Sequence, residues 1–162
     1  MARRCGHPER ALQVLDGIAG NYEHLRDEVL VLEERMRVLR AFDPPRLAEA
    51  IDVARRLVRL TQEIQGPLDR LFAHNEVADC AIAAQSFAEA LEALRTVRQI
   101  ALDDASFQRP YLLRQAQDAL QRAQRALAKH DDAKALSQTL AAWLEELQQA
   151  LGIQAQGDAI DA

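Results

Sequence analysis

Apolar side chains recur at alternating intervals of three and four residues through the N-terminal quarter of the chain. The run consists of Leu15, Ile18, Tyr22, Leu25, Val29, Leu32, Met36 and Leu39. More than three heptads without a miss are typical of a coiled-coil-like seam, because 3.5 residues per turn keep one stripe against a partner helix. The spacing predicts a long first helix over about residues 8–41. Gly17 and Gly20 each cost about 1 kcal/mol relative to Ala inside a helix, so this helix either kinks there or begins near Asn21.

The remainder of the chain also has helical patterns. Among its 162 residues are 30 alanines and 23 leucines, whereas aromatic residues make up 4%, a composition that favours helices over sheets. Proline, glycine and aspartate breaks predict further helices over about 45–65, 67–102 (with an interruption at His74 and Asn75 left open), 110–129 and 133–151. Short connections make consecutive helices antiparallel neighbours. We therefore expect an all-α antiparallel bundle of about five helices in one domain, residues 1–152, followed by a flexible tail, residues 153–162.

The charges beside the stripe indicate how the first helix pairs. In a parallel dimer, Glu28 would face Glu33 and Arg35 would face Arg40, and both pairs repel. An antiparallel partner avoids this conflict, and the proline turn at residues 44–45 supplies one within the chain. We expect the first helix to pack on its own chain and to keep a second edge for another subunit.

The first helix carries more apolar side chains than one seam needs. Leu12, Val14, Leu30, Val31 and Val38 lie beside the stripe, which indicates more than one partner helix. The sequence therefore predicts a non-enzymatic interaction module, such as an adaptor, a chaperone-like module or an assembly subunit, which binds a protein partner or a second copy of itself. The predicted partner-binding residues are Leu12, Leu15, Ile18, Tyr22, Leu25, Val29, Leu30, Leu32 and Met36.

Two acidic pairs give an alternative, enzymatic interpretation. The segments Glu49-Ala-Ile-Asp52 and Glu76-Val-Ala-Asp79 each place two carboxylates on neighbouring helical turns. On antiparallel helices the four could hold Mg²⁺ against a triphosphate. With Cys80 and the two residues after it, the pattern resembles the magnesium site of the all-α nucleoside-triphosphate pyrophosphatases, the MazG-like group, although Asp52 stands where the family has Glu. The resemblance spans residues 49–82 and implies a Mg²⁺-dependent pyrophosphatase that uses these four carboxylates.

The same acids also have an ordinary structural interpretation. At about 100° per residue, Glu49 and Asp52 lie roughly opposite the apolar stripe of their own helix, where Asp52 can pair with Arg56. Glu76 follows Asn75 and can act as a first-turn acid of a helix. We therefore assign no catalytic residue, no metal ligand and no cofactor.

Basic residues concentrate in one stretch and give a second alternative. Residues 35–59 contain seven arginines against three acids, so the local charge is +4 and could attract phosphates. However, Glu33 precedes Arg37 by four residues and Asp52 precedes Arg56 by four, which is the spacing of pairs that stabilise a helix. We rank a nucleic-acid-binding subunit below the other functions.

Overall charge and cysteine use exclude several further classes. The net charge is −5 and the isoelectric point about 5.4, so nothing attracts nucleic acid or anionic lipid globally. Cys5 and Cys80 have no CxxC spacing, which argues against structural zinc or a disulfide framework. No secretory core and no apolar run near about 20 residues occurs. We expect a cytoplasmic protein without membrane spans.

Overall fold

The computed structural model describes residues 7–64 and 66–160, and within these ranges all regular structure is helical, with no strand. The α-helices are α1 (Pro8–Ile18), α2 (Leu25–Arg40), α3 (Leu47–Ile64), α4 (Pro67–Ala83), α5 (Phe87–Asp103), α6 (Arg109–Leu127) and α7 (Lys134–Ile160), and a 3₁₀ helix (Asp131–Ala133) precedes α7. The all-α class is confirmed. Seven α-helices in the described residues replace the five that the sequence predicts, because two of the predicted helices are divided.

The helices group into two compact units, Met1–Gln65 and Gly66–Ala162. In the first unit α2 packs against both α1 and α3. In the second unit α4, α5 and α6 pack on one another, and α7 lies against α5 and α6. The single domain expected over residues 1–152 stays a prediction.

The prediction of one long first helix is wrong, because a turn separates α1 from α2. Ala19 has φ −57° and ψ 126°, and Gly20 has φ +86°. The Asn21 N–H donates to the carbonyl of Ile18 at 3.1 Å, which completes a type II β-turn with glycine at its third position. The apolar spacing continues across this turn because periodicity reports side-chain type and not backbone continuity. Neither a kink nor a start at Asn21 describes the break, since α2 begins at Leu25.

The helix expected over residues 67–102 is also divided, but not where the sequence suggests. His74 and Asn75 lie inside α4. The break falls at residues 84–86 instead, between α4 and α5. No glycine or proline marks it, and for that reason sequence punctuation missed it.

Backbone hydrogen bonds end α4 in a Schellman motif. The Ser86 N–H donates to the Ala81 carbonyl at 2.8 Å, and the Gln85 N–H donates to the Ile82 carbonyl at 3.0 Å. Gln85 has φ +59°, so it occupies the left-handed position at which glycine is usual. The motif reverses the chain and lets α5 return along α4.

The last helix is longer than expected. We predicted an end near Leu151, but α7 continues to Ile160 through residues for which the sequence predicted a flexible tail. Gly152 lies within the helix and has no left-handed conformation. A helical glycine costs only about 1 kcal/mol, which does not end a helix whose flanking residues favour it.

A cation–π contact joins α5 to α7 in the second unit. The Arg98 guanidinium lies 5.4 Å from the ring centroid of Trp143. Its Nε donates to a Glu146 carboxylate oxygen at 2.8 Å. Because Arg98 is mostly shielded from solvent, with 19% of its side chain exposed, these contacts are screened less than those of a surface pair.

Replacing Gln85 by glycine is expected to stabilise the second unit. A residue with a Cβ in the left-handed conformation costs about 1–2 kcal/mol, and glycine removes this strain. Part of the resulting gain in stability is offset because glycine has greater entropy in the unfolded chain. We expect Gln85→Gly to raise the free energy of unfolding by about 0.5–1 kcal/mol, measured by urea denaturation. Gln85→Ala, which keeps the Cβ, is the control and should bring no such gain. A glycine variant no more stable than the wild type would contradict the strain argument.

Candidate functional site

The structure divides the predicted partner-binding residues into three groups by exposure. Leu15, Leu32 and Met36 are buried; Leu12, Tyr22 and Val29 are partly buried; Ile18, Leu25 and Leu30 are exposed. The buried members belong to the core and cannot contact a partner in the folded chain. Of the additional apolar residues beside the stripe, Val38 is also buried, whereas Val14 is exposed.

Among residues 7–64, four large aliphatic side chains therefore remain open to solvent. The exposed fractions are 62% for Val14, 41% for Ile18, 43% for Leu25 and 63% for Leu30. Val14 and Ile18 are four residues apart and share one face of α1. We call these four residues the α1–α2 apolar surface.

An ion pair holds α1 against α2. Arg35 Nη1 of α2 donates to the Asp16 carboxylate of α1 at 2.6 Å, and both side chains are partly exposed. Such a pair contributes only about 0–1 kcal/mol. Packing of α1 on α2, with Leu15 buried, accompanies this ion pair.

Each acid of the first pair accepts hydrogen bonds from an arginine three residues away in the sequence. Glu49 accepts hydrogen bonds from Arg46 Nε at 2.6 Å and from Nη2 at 2.7 Å. Asp52 accepts one from Arg55 Nη1 at 3.0 Å. The expected pairing of Asp52 with Arg56 is wrong, because Arg56 reaches across to Glu28 of α2.

The second acidic pair lies on α4 in the other unit. Glu76 and Asp79 are partly buried, and the Arg122 guanidinium of α6 lies 3.6 Å from the Asp79 carboxylate. Glu76 is not a first-turn acid, as the sequence suggested, because α4 begins at Pro67 and runs without a break.

Across residues 7–64 and 66–160, no group of three or more His, Cys, Asp or Glu side chains is arranged to hold a metal ion. The four carboxylates of the pyrophosphatase-like pattern therefore gain no support as a magnesium site from the part of the chain that the structure describes. Arginines contact three of them, Glu49, Asp52 and Asp79.

Most arginines of residues 35–59 also have carboxylate partners. Five pairs are Arg35 with Asp16, Arg37 with Glu34, Arg46 with Glu49, Arg55 with Asp52, and Arg56 with Glu28. Three of these acids lie outside the basic stretch, so its local charge overstates the positive potential of the folded surface. The hydrogen bond from Arg37 holds the pKa of Glu34 below its ordinary value, which keeps this carboxylate charged.

An aromatic side chain that the sequence analysis did not single out is fully presented to solvent. Phe107 is 92% exposed in the connection between α5 and α6. The connection is held by Asp104, whose carboxylate accepts hydrogen bonds from the Ser106 N–H at 3.1 Å and from its hydroxyl at 2.8 Å. Arg109 also donates to the Asp104 carbonyl at 2.7 Å. In the sequence, the exposure of Phe107 is indicated only by its position as a single phenylalanine in a polar segment.

Helix α4 carries polar groups in shielded positions. Arg70 Nε and Asn75 Oδ1 are buried without a hydrogen-bond partner. His74, one turn after Arg70, is partly buried, and this burial, followed by the nearby Arg70 charge, lowers the pKa of His74 below its ordinary value. His74 lies in the middle of α4, where the sequence leaves an interruption of the helix open.

The lowered pKa of His74 predicts an acid-sensitive second unit. The unfolded chain takes up the His74 proton at about pH 6.5, whereas the folded chain takes it up only at lower pH. The folded second unit therefore has its full stability above about pH 6.5, where His74 is neutral in both states. This stability is lost as the pH falls from there through the pKa of His74 in the folded chain. Urea denaturation of wild type and His74→Gln at a series of pH values from about 7.5 to 5 measures this. Equal pH dependence in both proteins would contradict the expectation.

No helix in the described residues is both long enough and apolar enough to cross a bilayer.

No protein-family model matches the chain, and no significant match was found among curated proteins or solved structures.

Proposed function

We propose that this chain is a non-enzymatic helical interaction module, an adaptor, chaperone-like module or assembly subunit, which binds another protein or a second copy of itself. The α1–α2 apolar surface carries the proposal. Val14 and Leu30, each more than 60% exposed, are the most open large aliphatic side chains among residues 7–64. The partner contributes an apolar helical face that covers them.

The energetics of burial support this function. Fully covering a Val, Leu or Ile side chain contributes about 1.5–3 kcal/mol, and the four residues of the surface lie on two helices that pack together. Single exposed aliphatic residues are common on protein surfaces, whereas grouped ones mark interaction sites. Val14 and Ile18 form such a group on one helix face.

Electrostatics favour binding over catalysis or nucleic-acid recognition. Carboxylates that accept hydrogen bonds from arginines three residues away, as Glu49 and Asp52 do, are already compensated. Five of the seven arginines of residues 35–59 also contact carboxylates, on the same helix or on a neighbouring one. These contacts solubilise the first unit and leave its uncovered aliphatic residues as the feature available to a partner.

We also propose that the protein is located in the cytoplasm. Cys80 is fully buried and forms no disulfide, which is compatible with a reducing compartment.

The double variant Val14→Glu/Leu30→Glu tests the proposal directly. Both side chains are exposed, so the two charges should leave helix content and melting temperature nearly unchanged while opposing burial by a partner. We expect the wild type to show concentration-dependent mass in sedimentation equilibrium, or to retain a stoichiometric partner during purification from its native host. The double variant should lose this association by at least about tenfold in Kd.

A charge-matched control is available on the same unit. Gln13 of α1 and Gln62 of α3 are exposed polar residues, and Gln13→Glu/Gln62→Glu adds the same two charges without touching the apolar surface. This control should associate as the wild type does. A strictly monomeric wild type without a partner, or equal association of both double variants, would refute the proposed function.

A further inference from the structure

The second unit contains a cavity of about 300 Å³ where α4 begins and α5 ends. Pro67 and Arg70 of α4 form one wall; Gln99, Ile100 and Asp103 of α5, with Asp104 after it, form the other. The volume lies at the lower limit of ordinary small-molecule pockets, which measure about 300–1,000 Å³. Its lining combines one basic residue, two acidic residues and apolar surface.

A ligand in this cavity can reach the charge of Arg70 only at the ends of its guanidinium group. Arg70 Nε is buried and donates no hydrogen bond, so the ligand would meet the terminal Nη atoms. Within the described residues no hydrogen bond or ion pair joins Arg70 to Asp103 or Asp104. Opposite charges thus line one cavity without neutralising each other.

Each of the two acidic residues uses only one carboxylate oxygen in a hydrogen bond within the part of the chain that the structure describes. Asp103 Oδ1 accepts a hydrogen bond from Gln99 Nε2 at 2.7 Å, and Asp104 Oδ2 is bound by Ser106. Each carboxylate keeps a second oxygen that can accept from a ligand.

We propose that this cavity binds a small zwitterion of the amino-acid class. The ligand carboxylate accepts charge-assisted hydrogen bonds from the terminal Nη atoms of Arg70, and its ammonium group faces Asp103 and Asp104. A phosphate would bring two negative charges beside two carboxylates, and a simple cation would leave the Arg70 charge without a counterpart. A molecule with one charge of each sign compensates both walls, while Pro67 and Ile100 accommodate its carbon skeleton.

The site is independent of the proposed function. It lies wholly in the second unit, whereas the α1–α2 apolar surface lies in the first. Failure of one proposal therefore leaves the other standing.

The twenty free L-amino acids, added singly to the full chain, are the probes. Thermal shift followed by titration calorimetry should identify at least one that binds with a Kd of about 1 mM or tighter. The N-acetyl and carboxamide derivatives of that amino acid each lack one charge. Each should bind at least about tenfold more weakly, because one charged wall is left without its counterpart.

Variants locate the binding within the cavity. Arg70→Gln and Asp103→Asn should each weaken binding at least about tenfold, and Arg70→Lys should recover part of the loss because it restores the charge. Arg114→Gln is the control, since Arg114 is an exposed residue of α6 outside the cavity lining. Circular dichroism checks that each variant folds. If a variant does not fold, binding of the N-acetyl and carboxamide derivatives to the wild type tests the proposal instead.

The proposal is wrong if no free amino acid binds at about 10 mM, well above a Kd of about 1 mM. It is also wrong if the singly charged derivatives bind as tightly as the parent amino acid, or if folded Arg70→Gln binds as the wild type does.

Discussion

Close packing of alanine and leucine side chains between helices is the interaction on which the second unit depends. Ala78 and Ala81 of α4, Ala90 and Ala101 of α5 and Ala116 of α6 have no exposed surface, and leucines such as Leu94 and Leu120 are as deeply buried. A methyl side chain lets helix axes approach closely, and the leucines fill the space that remains. The unit consequently needs few aromatic residues. Its one tryptophan, Trp143, lies at the edge of the packing, where Arg98 covers its ring.

The charged residues have two different environments, and the difference indicates where a ligand could bind. Along residues 35–59 most guanidinium groups contact a carboxylate, often one that is three residues away in the sequence. Such pairs add little stability because they are exposed, but they leave little net charge for a phosphate-bearing partner. Arg70 differs from them, since its Nε is buried and unsatisfied beside acids that it does not reach.

Much of the helical architecture could be predicted from the sequence, and the failures have specific causes. Proline marked the start of α4 at Pro67, because its missing N–H is tolerated in the first turn. Gly20 also gave a signal, but glycine is compatible with a kink, a turn or a helix interior, and only its φ of +86° distinguishes them. Gln85 gave none, since its left-handed conformation is imposed by the Schellman hydrogen bonds. The candidate cavity was invisible for a similar reason: Arg70, Asp103 and Asp104 form no motif, and α4 must pack on α5 before they share one space.

The sequence by itself determined the class of fold and the division of side chains into apolar stripes and charged faces, because helix propensity and periodicity are local properties of neighbouring residues. Only the tertiary structure decided which members of a stripe are covered. Leu15 and Ile18 are equivalent in the heptad pattern, yet Leu15 is buried and Ile18 is 41% exposed. The turn at Gly20 ends α1 directly after Ile18, and exposure depends on the path of the backbone around a side chain, which no spacing of apolar residues encodes.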